Sequence, residues 1–433
     1  MHAAFSFFAT RRFLPLFGTQ FLGAFNDNLL KTAIVVLVSF HGLHLGSVSP
    51  ALLVNLAAGV FILPFFLFSA TAGKVAERFD KARLARLIKQ VEIAIMLVAG
   101  CGFYLDSAAL LFAALFMMGV HSTFFGPIKY SVLPQYLGEH ELVGGNGIIE
   151  MGTFLAILIG QIGGSLMVQS GPGLSIALLL LCAVAGYSFS RHMPAVAPTA
   201  PQLRLSFNIW RDSRDLLARA WSLPDVRSAI LGISWFWLMG AVYTTQLPTF
   251  THDHLGGDAD VYTVLLALFS IGIGLGSMLC AKLSDGELQL GLVLLGGAGM
   301  TLAGLDLGLS RLAPWHGALQ TPAQFLHGLA AWRALADVAL LGFFGGFFTV
   351  PLYTWLQTSS PAEFRSQAIA ANNIVNGCYM VFSALAAALL LLLFHTIALL
   401  FVIASIANVL ALGHLAWRAP RLWNDRFAWL ARR

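Results

Sequence analysis

Long apolar runs separated by short polar stretches fill the chain from residue 13 to residue 417. None shows the alternating apolar and polar positions of a barrel strand. Each is long enough to supply the ~20 apolar residues with which a helix crosses a bilayer. The pattern predicts twelve helices, near 13–40, 50–73, 84–104, 107–128, 144–168, 172–191, 227–250, 260–282, 287–309, 333–357, 364–392 and 395–417. Residues 192–226 interrupt it with Pro194, Pro198, Pro201 and Pro224 around a charged stretch from Arg204 to Arg219. That segment reads as a linker holding an interfacial helix with Trp210 and Trp221. The expectation is an all-α polytopic membrane protein. A six-helix bundle spans 1–191, the linker 192–226, a second six-helix bundle 227–417 and a basic tail 418–433.

Composition agrees with this reading. Of 433 residues, 58% are hydrophobic and 10% charged, against about 25% charged in a typical soluble domain. Mean hydropathy is +0.79. So few charges cannot cover a soluble surface, which excludes a cytosolic enzyme, a disordered scaffold and a nucleic-acid partner. The 25 lysines and arginines sort by side. Lys31 falls inside the first helix, and Arg311 and Arg333 fall in the 9–10 loop. All the others lie at alternate turns and at both termini. The positive-inside rule makes that side the cytoplasm, which requires an even number of spans. Arg11 and Arg12 precede a first helix expected to stay uncleaved. Cys101, Cys182, Cys280 and Cys378 are far apart and read as small buried hydrophobes.

Ionisable groups at bilayer depth are costly and mark function by default. Helix 1 reads QFLGAFNDNLLK and carries Gln20, Asn26, Asp27, Asn28 and Lys31. Asp27 and Lys31, four apart, share a face and are placed to pair. Helix 4 ends FFGPIKYS, where Pro127 is expected to bend or stop it and present Lys129. Helix 5 begins GGNGIIEMG, with Asn146 and Glu150 one turn apart. Two readings stay open: a substrate-binding patch, or a structural ion-pair network joining three helices. Glu92, near enough to Lys89 to pair, and Asp106 and His121 are weaker candidates. The second half carries aromatics instead, with Trp235, Trp237, Tyr243, Phe347 and Tyr353 as the expected acyl-chain wall. A cavity charged on one wall and greasy on the other suits an amphiphile. His252 and His254 make too weak a set for a metal, and no cofactor is expected.

The halves resemble each other. FFGPIKYSVLPQYL…GGNGIIEMG is echoed by FFTVPLYTWLQTSS…AANNIVNGC, pairing Pro127 with Pro351 and Asn146 with Asn372. Two six-helix repeats about an axis along the membrane normal, around a central cavity, are the plan of the major facilitator superfamily. The segment GKVAERFDKARL resembles that superfamily's signature loop and supplies a gate loop of Gly73, Glu77, Arg78 and Lys81. An acid there can hold one gate state by pairing with an arginine or a helix N-terminus across the halves. Solvated loop charges are the alternative.

More narrowly, QFLGAFNDN, GKVAERF, FFGPIKYSVLPQYL and GGNGIIEMGTFLAILIGQIGG resemble the bacterial lysophospholipid transporter family, over most of residues 13–170. In the second half only ISWFW adds to it. The resemblance implies a flippase of the bacterial inner membrane. It would move lysophospholipids, chiefly lysophosphatidylethanolamine, from the outer to the inner leaflet by alternating access. It also implies Asp27, Asn28, Lys129 and Glu150 as functional residues, membrane lipids as surroundings, and a cytosolic acyltransferase as partner, separate or fused behind the transporter. That enzyme's histidine–four residues–aspartate signature occurs at none of the 12 histidines. The alternative is a proton-coupled exporter of hydrophobic or amphiphilic drugs, with Asp27 or Glu150 carrying the proton. A membrane enzyme is disfavoured because no nucleophile–base constellation is visible.

Overall fold

A computed structural model describes residues 5–206, 208–310 and 312–430. Arg311 and the end of the basic tail, Arg432 and Arg433, lie outside these. Twelve long helices follow one another: α1 Leu14–Phe40, α2 Pro50–Arg78, α3 Lys81–Tyr104, α4 Ala108–Ser131, α5 Glu139–Gln169, α6 Pro172–Arg191, α7 Pro224–Phe250, α8 Ala259–Ser284, α9 Gly291–Leu309, α10 Leu329–Ser359, α11 Arg365–Phe394 and α12 Ile397–Arg418. Eleven are long and apolar enough to cross a membrane. The other is α3, whose first half carries Lys81, Arg83, Arg86, Lys89 and Glu92 and which packs along α4 and α6. A linker helix, Ile209–Ser222, joins the halves.

Two bundles result. In the first, α1 packs on α5 and α6, α2 on α4, and α3 on α4 and α6. In the second, α10 packs on α7, α8 and α9, while α12 packs on α7 and α9. The bundles meet chiefly along α5 with α8 and α2 with α11. Glycines permit the closest approaches, because a Cβ on Gly160 or Gly164 would stand 2.7 or 2.6 Å from a carbonyl of α1.

Three local expectations change. Pro127 neither stops nor ends α4, which continues to Ser131. Proline removes one backbone donor, and neighbouring helices in a bundle re-satisfy the freed group. The proposed loop Gly73–Arg78 is the last two turns of α2, so only Phe79 and Asp80 stand between helices. Of the four cysteines, all free, only Cys280 is buried; Cys101 and Cys378 are exposed.

One end of the molecule gathers the loop lysines and arginines and will be called the basic end. There the halves are sealed. Gly73 admits α11 so closely that a Cβ would lie 2.8 Å from Ala370 Cβ. At the other end α2 and α11 expose apolar side chains. Each of these two helices buries 17% of its most apolar stretch, against 72% in α10. Leu52, Leu56 and Leu63 on α2 and Val381, Leu385 and Leu389 on α11 are exposed.

Candidate functional site

At the basic end, Glu77 completes α2 and reaches the other half, accepting the backbone N–H of Ser366 at the α11 N-terminus at 2.5 Å. The Thr199 hydroxyl of the linker also donates to it. A carboxylate at a helix N-terminus meets unpaired N–H groups and the positive end of the helix dipole. Ser366 and Ser131 hydroxyls are 2.9 Å apart. Deeper, the Asn146 amide donates to Gln357 at 2.6 Å and Thr354 at 3.0 Å, and Gln357 donates back to Asn146 at 3.0 Å and to the Tyr130 carbonyl at 2.9 Å. Asn146 therefore belongs to the seal between α5 and α10. Lys81, the first residue of α3, is buried, and Arg78 lies over the Phe79 ring.

The next layer inward is a floor made by both halves. Tyr130 and Tyr353 stack with centroids 4.2 Å apart and planes 6° from parallel. The Tyr130 hydroxyl donates to Glu150 at 2.5 Å, and the Trp237 indole N–H donates to the Tyr353 hydroxyl at 3.2 Å. Lys129 donates to Thr153 at 3.3 Å, whose hydroxyl lies 3.1 Å from the Gln20 amide oxygen. The ammonium sits 4.5 Å from the Tyr130 ring centroid. Gln20, Lys129, Glu150, Trp237 and Tyr353 are thus brought together, with Tyr130 and Thr153, two residues the sequence reading left out.

Asp27 forms a neighbouring group. It accepts from Ser122 of α4 at 2.7 Å, and its second oxygen accepts no hydrogen bond among the described residues. Lys31 is not its ion-pair partner and lies 5.6 Å from the Phe61 ring centroid. Asp27 and Lys31 in α1 and Trp237 in α7 lie far from either end of their helices, Lys129 lies two residues from the end of α4, and each keeps some accessible surface.

Other expected members point elsewhere. Successive helix positions turn by about 100°, so Asn26 and Asn28 flank Asp27 on different faces. Asn28 donates to the Ala24 carbonyl at 2.8 Å and lies in the α1–α5 contact. Trp235, turned by about 200° from Trp237, donates to Asn408 of α12 at 2.7 Å. Tyr243 lies 3.0 Å from the Ser405 hydroxyl, also on α12. Phe347 is packed with Val143, Cys280, Ala281, Leu292 and Val350. These three aromatics are packing residues, so the expected aromatic wall shrinks to Trp237 and Tyr353. In their place α11 offers amides: Asn372, near Tyr353, has neither amide atom hydrogen-bonded among the described residues, and Asn376 accepts from Ser234 at 2.7 Å.

Behind Asp27 lies a charged cluster the sequence reading ranked low. Lys89 and Glu92 are 0% exposed and pair at 2.5 Å. Asn26 donates to Glu92 at 2.9 Å, and His121 Nε2 lies 3.0 Å from the same carboxylate. The Lys89 ammonium fills a slot between Gly23 and Gly186, where Cβ atoms would stand 2.8 and 3.2 Å away. The i, i+3 spacing was a readable signal for the pair; the arrival of His121 was not. Among the described residues no group of three or more His, Cys, Asp or Glu side chains gathers as for a metal ion.

The same architecture recurs in solved transporters. The human organic anion transporter MFSD10 (TETRAN) superposes with a TM-score of 0.75 at 14% identity, covering 94% of this chain and 99% of that one. The transporter FucP in its outward conformation gives 0.69 at 11% identity, over 94% and 98%. Among curated sequences, the lysophospholipid transporter LplT of Cronobacter sakazakii is 26% identical over 370 residues, covering 84% of this chain and 85% of that protein. LplT of Klebsiella pneumoniae is 28% identical over 349 residues, covering 79% of each. The sequence profile of the Major Facilitator Superfamily matches residues 16–332, and the chain belongs to that superfamily.

Proposed function

We propose that this protein is a lysophospholipid transporter that carries its cargo across the bacterial inner membrane by alternating access. The observation that carries the reading is a pair of opposite charges in the first bundle, the Asp27 carboxylate and the Lys129 ammonium, both partly exposed and both taken to face the transport cavity. Neither is neutralised by an ion pair among the described residues. A cation and an anion held apart fit a head group with a phosphate and an amine. The phosphate would meet Lys129 and the amine Asp27, with charge-assisted hydrogen bonds stronger than neutral ones. The LplT relatives from Cronobacter and Klebsiella support the cargo class.

The basic end is assigned to the cytoplasm by the positive-inside rule. The contacts described then seal the cytoplasmic side. A single-chain lipid would enter between α2 and α11, its chain lying on their exposed leucines and on Trp237 while its head descends to the Tyr130–Tyr353 floor. Inward release requires the Glu77–Ser366 and Asn146–Gln357 contacts to part, a rocking of one bundle against the other. We assign the direction outer to inner leaflet, lysophosphatidylethanolamine as chief substrate, and a cytosolic acyltransferase as consumer of the product.

The test is uptake of labelled lysophosphatidylethanolamine by proteoliposomes. Lys129→Ala and Asp27→Asn are expected to lower the rate about tenfold or more, matching the loss of about 1.4 kcal/mol or more from a charge-assisted contact. Uptake by the native protein that ignores head group and collapses with the proton gradient would favour a drug exporter instead.

A further inference from the structure

A second lipid site lies outside the transport path. At the basic end, a surface cavity of about 570 Å³ opens between the α2–α3 turn and the linker segment 195–198, within the ~300–1,000 Å³ usual for ligand pockets. Its polar wall is Arg78, Asp80 and Arg83. Arg78 has no carboxylate partner among the described residues and rests on Phe79. Arg83, with its side chain 82% exposed, approaches Asp80 only at 3.7 Å. Asp80 is occupied elsewhere: one oxygen accepts from Ala82 N at 2.8 Å and from Val196 N at 3.3 Å. Two guanidiniums thus face a cavity with one already engaged carboxylate.

The other wall is apolar. Leu84 and Leu87 line the cavity, and the exposed Val91 continues the row down α3. These positions recur at helical spacing on one face, so a greasy track leads from the guanidiniums into the bilayer. Arginine matches phosphate in a bidentate fork, and basic pockets beside membrane helices on the cytoplasmic side hold lipid head groups. We propose that a diacyl phospholipid of the basic-end leaflet binds here, its phosphate bridging Arg78 and Arg83 and one chain lying along Leu84, Leu87 and Val91. Bound there, it would tie segment 195–198 to the α2–α3 turn, next to the Glu77 seal.

Native mass spectrometry of the full-length protein in detergent tests this, with dioleoyl phosphatidylglycerol as probe. Arg78→Gln with Arg83→Gln is expected to lower lipid occupancy at least fivefold. Arg78→Lys with Arg83→Lys should retain more than half of it. An equal charge loss on the exposed linker helix, Arg211→Gln with Arg214→Gln, should leave it unchanged. Unchanged occupancy in the first double variant, or an equal loss in the linker control, overturns the proposal. So does competition by sn-glycerol 3-phosphate at the lipid's own concentration, which would assign the pocket to a soluble phosphate. A parallel titration with phosphatidylethanolamine reads whether an added amine strengthens binding through Asp80.

Discussion

Two corresponding seams of the bundles hold together by opposite chemistry. In the first half, α1, α3 and α6 meet around Asn26, Lys89 and Glu92, with the Leu179 carbonyl 3.4 Å from the Asn26 amide. In the second, α7, α9 and α12 meet around Trp235 and Asn408. Asn408 accepts from the Trp235 indole and donates at 2.9 Å to both the Gly297 carbonyl and Thr301 hydroxyl. The neutral seam is satisfied without a single charge. A three-helix contact in this fold therefore does not need an ion pair. The buried charges of the first half exceed what packing requires, and they adjoin the cavity through His121 and Asp27, both on the α1–α4 side.

The contrast makes graded predictions. Lys89→Met leaves Glu92 buried without its partner and should cost about 3–5 kcal/mol, read as a large fall in the thermal midpoint in detergent. Lys89→Met with Glu92→Leu should regain much of that loss, since replacing both partners removes the unpaired charge. Asn408→Leu strands the Trp235 N–H and should cost less, about 1–3 kcal/mol. Equal losses from Lys89→Met and Asn408→Leu would abolish the distinction between charged and neutral seams.

A second contrast separates two asparagines related by the internal repeat. Asn146→Ala removes the bonds to Gln357 and Thr354, each worth about 0.5–1.5 kcal/mol net. It should speed maleimide labelling of Ser131→Cys, a seal residue, in a background without native cysteines. Asn372→Ala touches none of those bonds and should leave that labelling unchanged; faster labelling there would show that Asn372 also closes the gate. The smallest effect is expected from Arg333→Gln. Arg333 pairs with Asp306 on side chains 58% and 38% exposed, so the thermal midpoint in detergent should barely move.

Helical phase explains most of what was misread. Trp235 and Trp237 were grouped because they are neighbours in sequence, yet about 200° of helix turn sends one to Asn408 and the other to Tyr353. The same arithmetic, applied to Asp27 and Asn28, separates a cavity residue from a helix-contact residue. Tyr130 was legible in principle, one position beyond Lys129, but its value comes from stacking on Tyr353, 223 positions away. Its role could not be read from either half alone.

The sequence by itself determined the helices, their number, the two-bundle repeat and the costly mid-span charges. These follow from local quantities: run length, apolar composition and the price of burying a charge in lipid. Only the tertiary structure decided which polar groups share a space. It set Glu77 against Ser366 of α11, sent Asn146 to the seal, joined His121 to Lys89 and Glu92, and left Asp27 and Lys129 without ion-pair partners among the described residues. Those outcomes depend on helix rotation and on contacts between residues far apart in the chain. Neither is encoded in the hydropathy of a single segment, because a charge of given cost can be balanced by a partner on any helix that packs beside it.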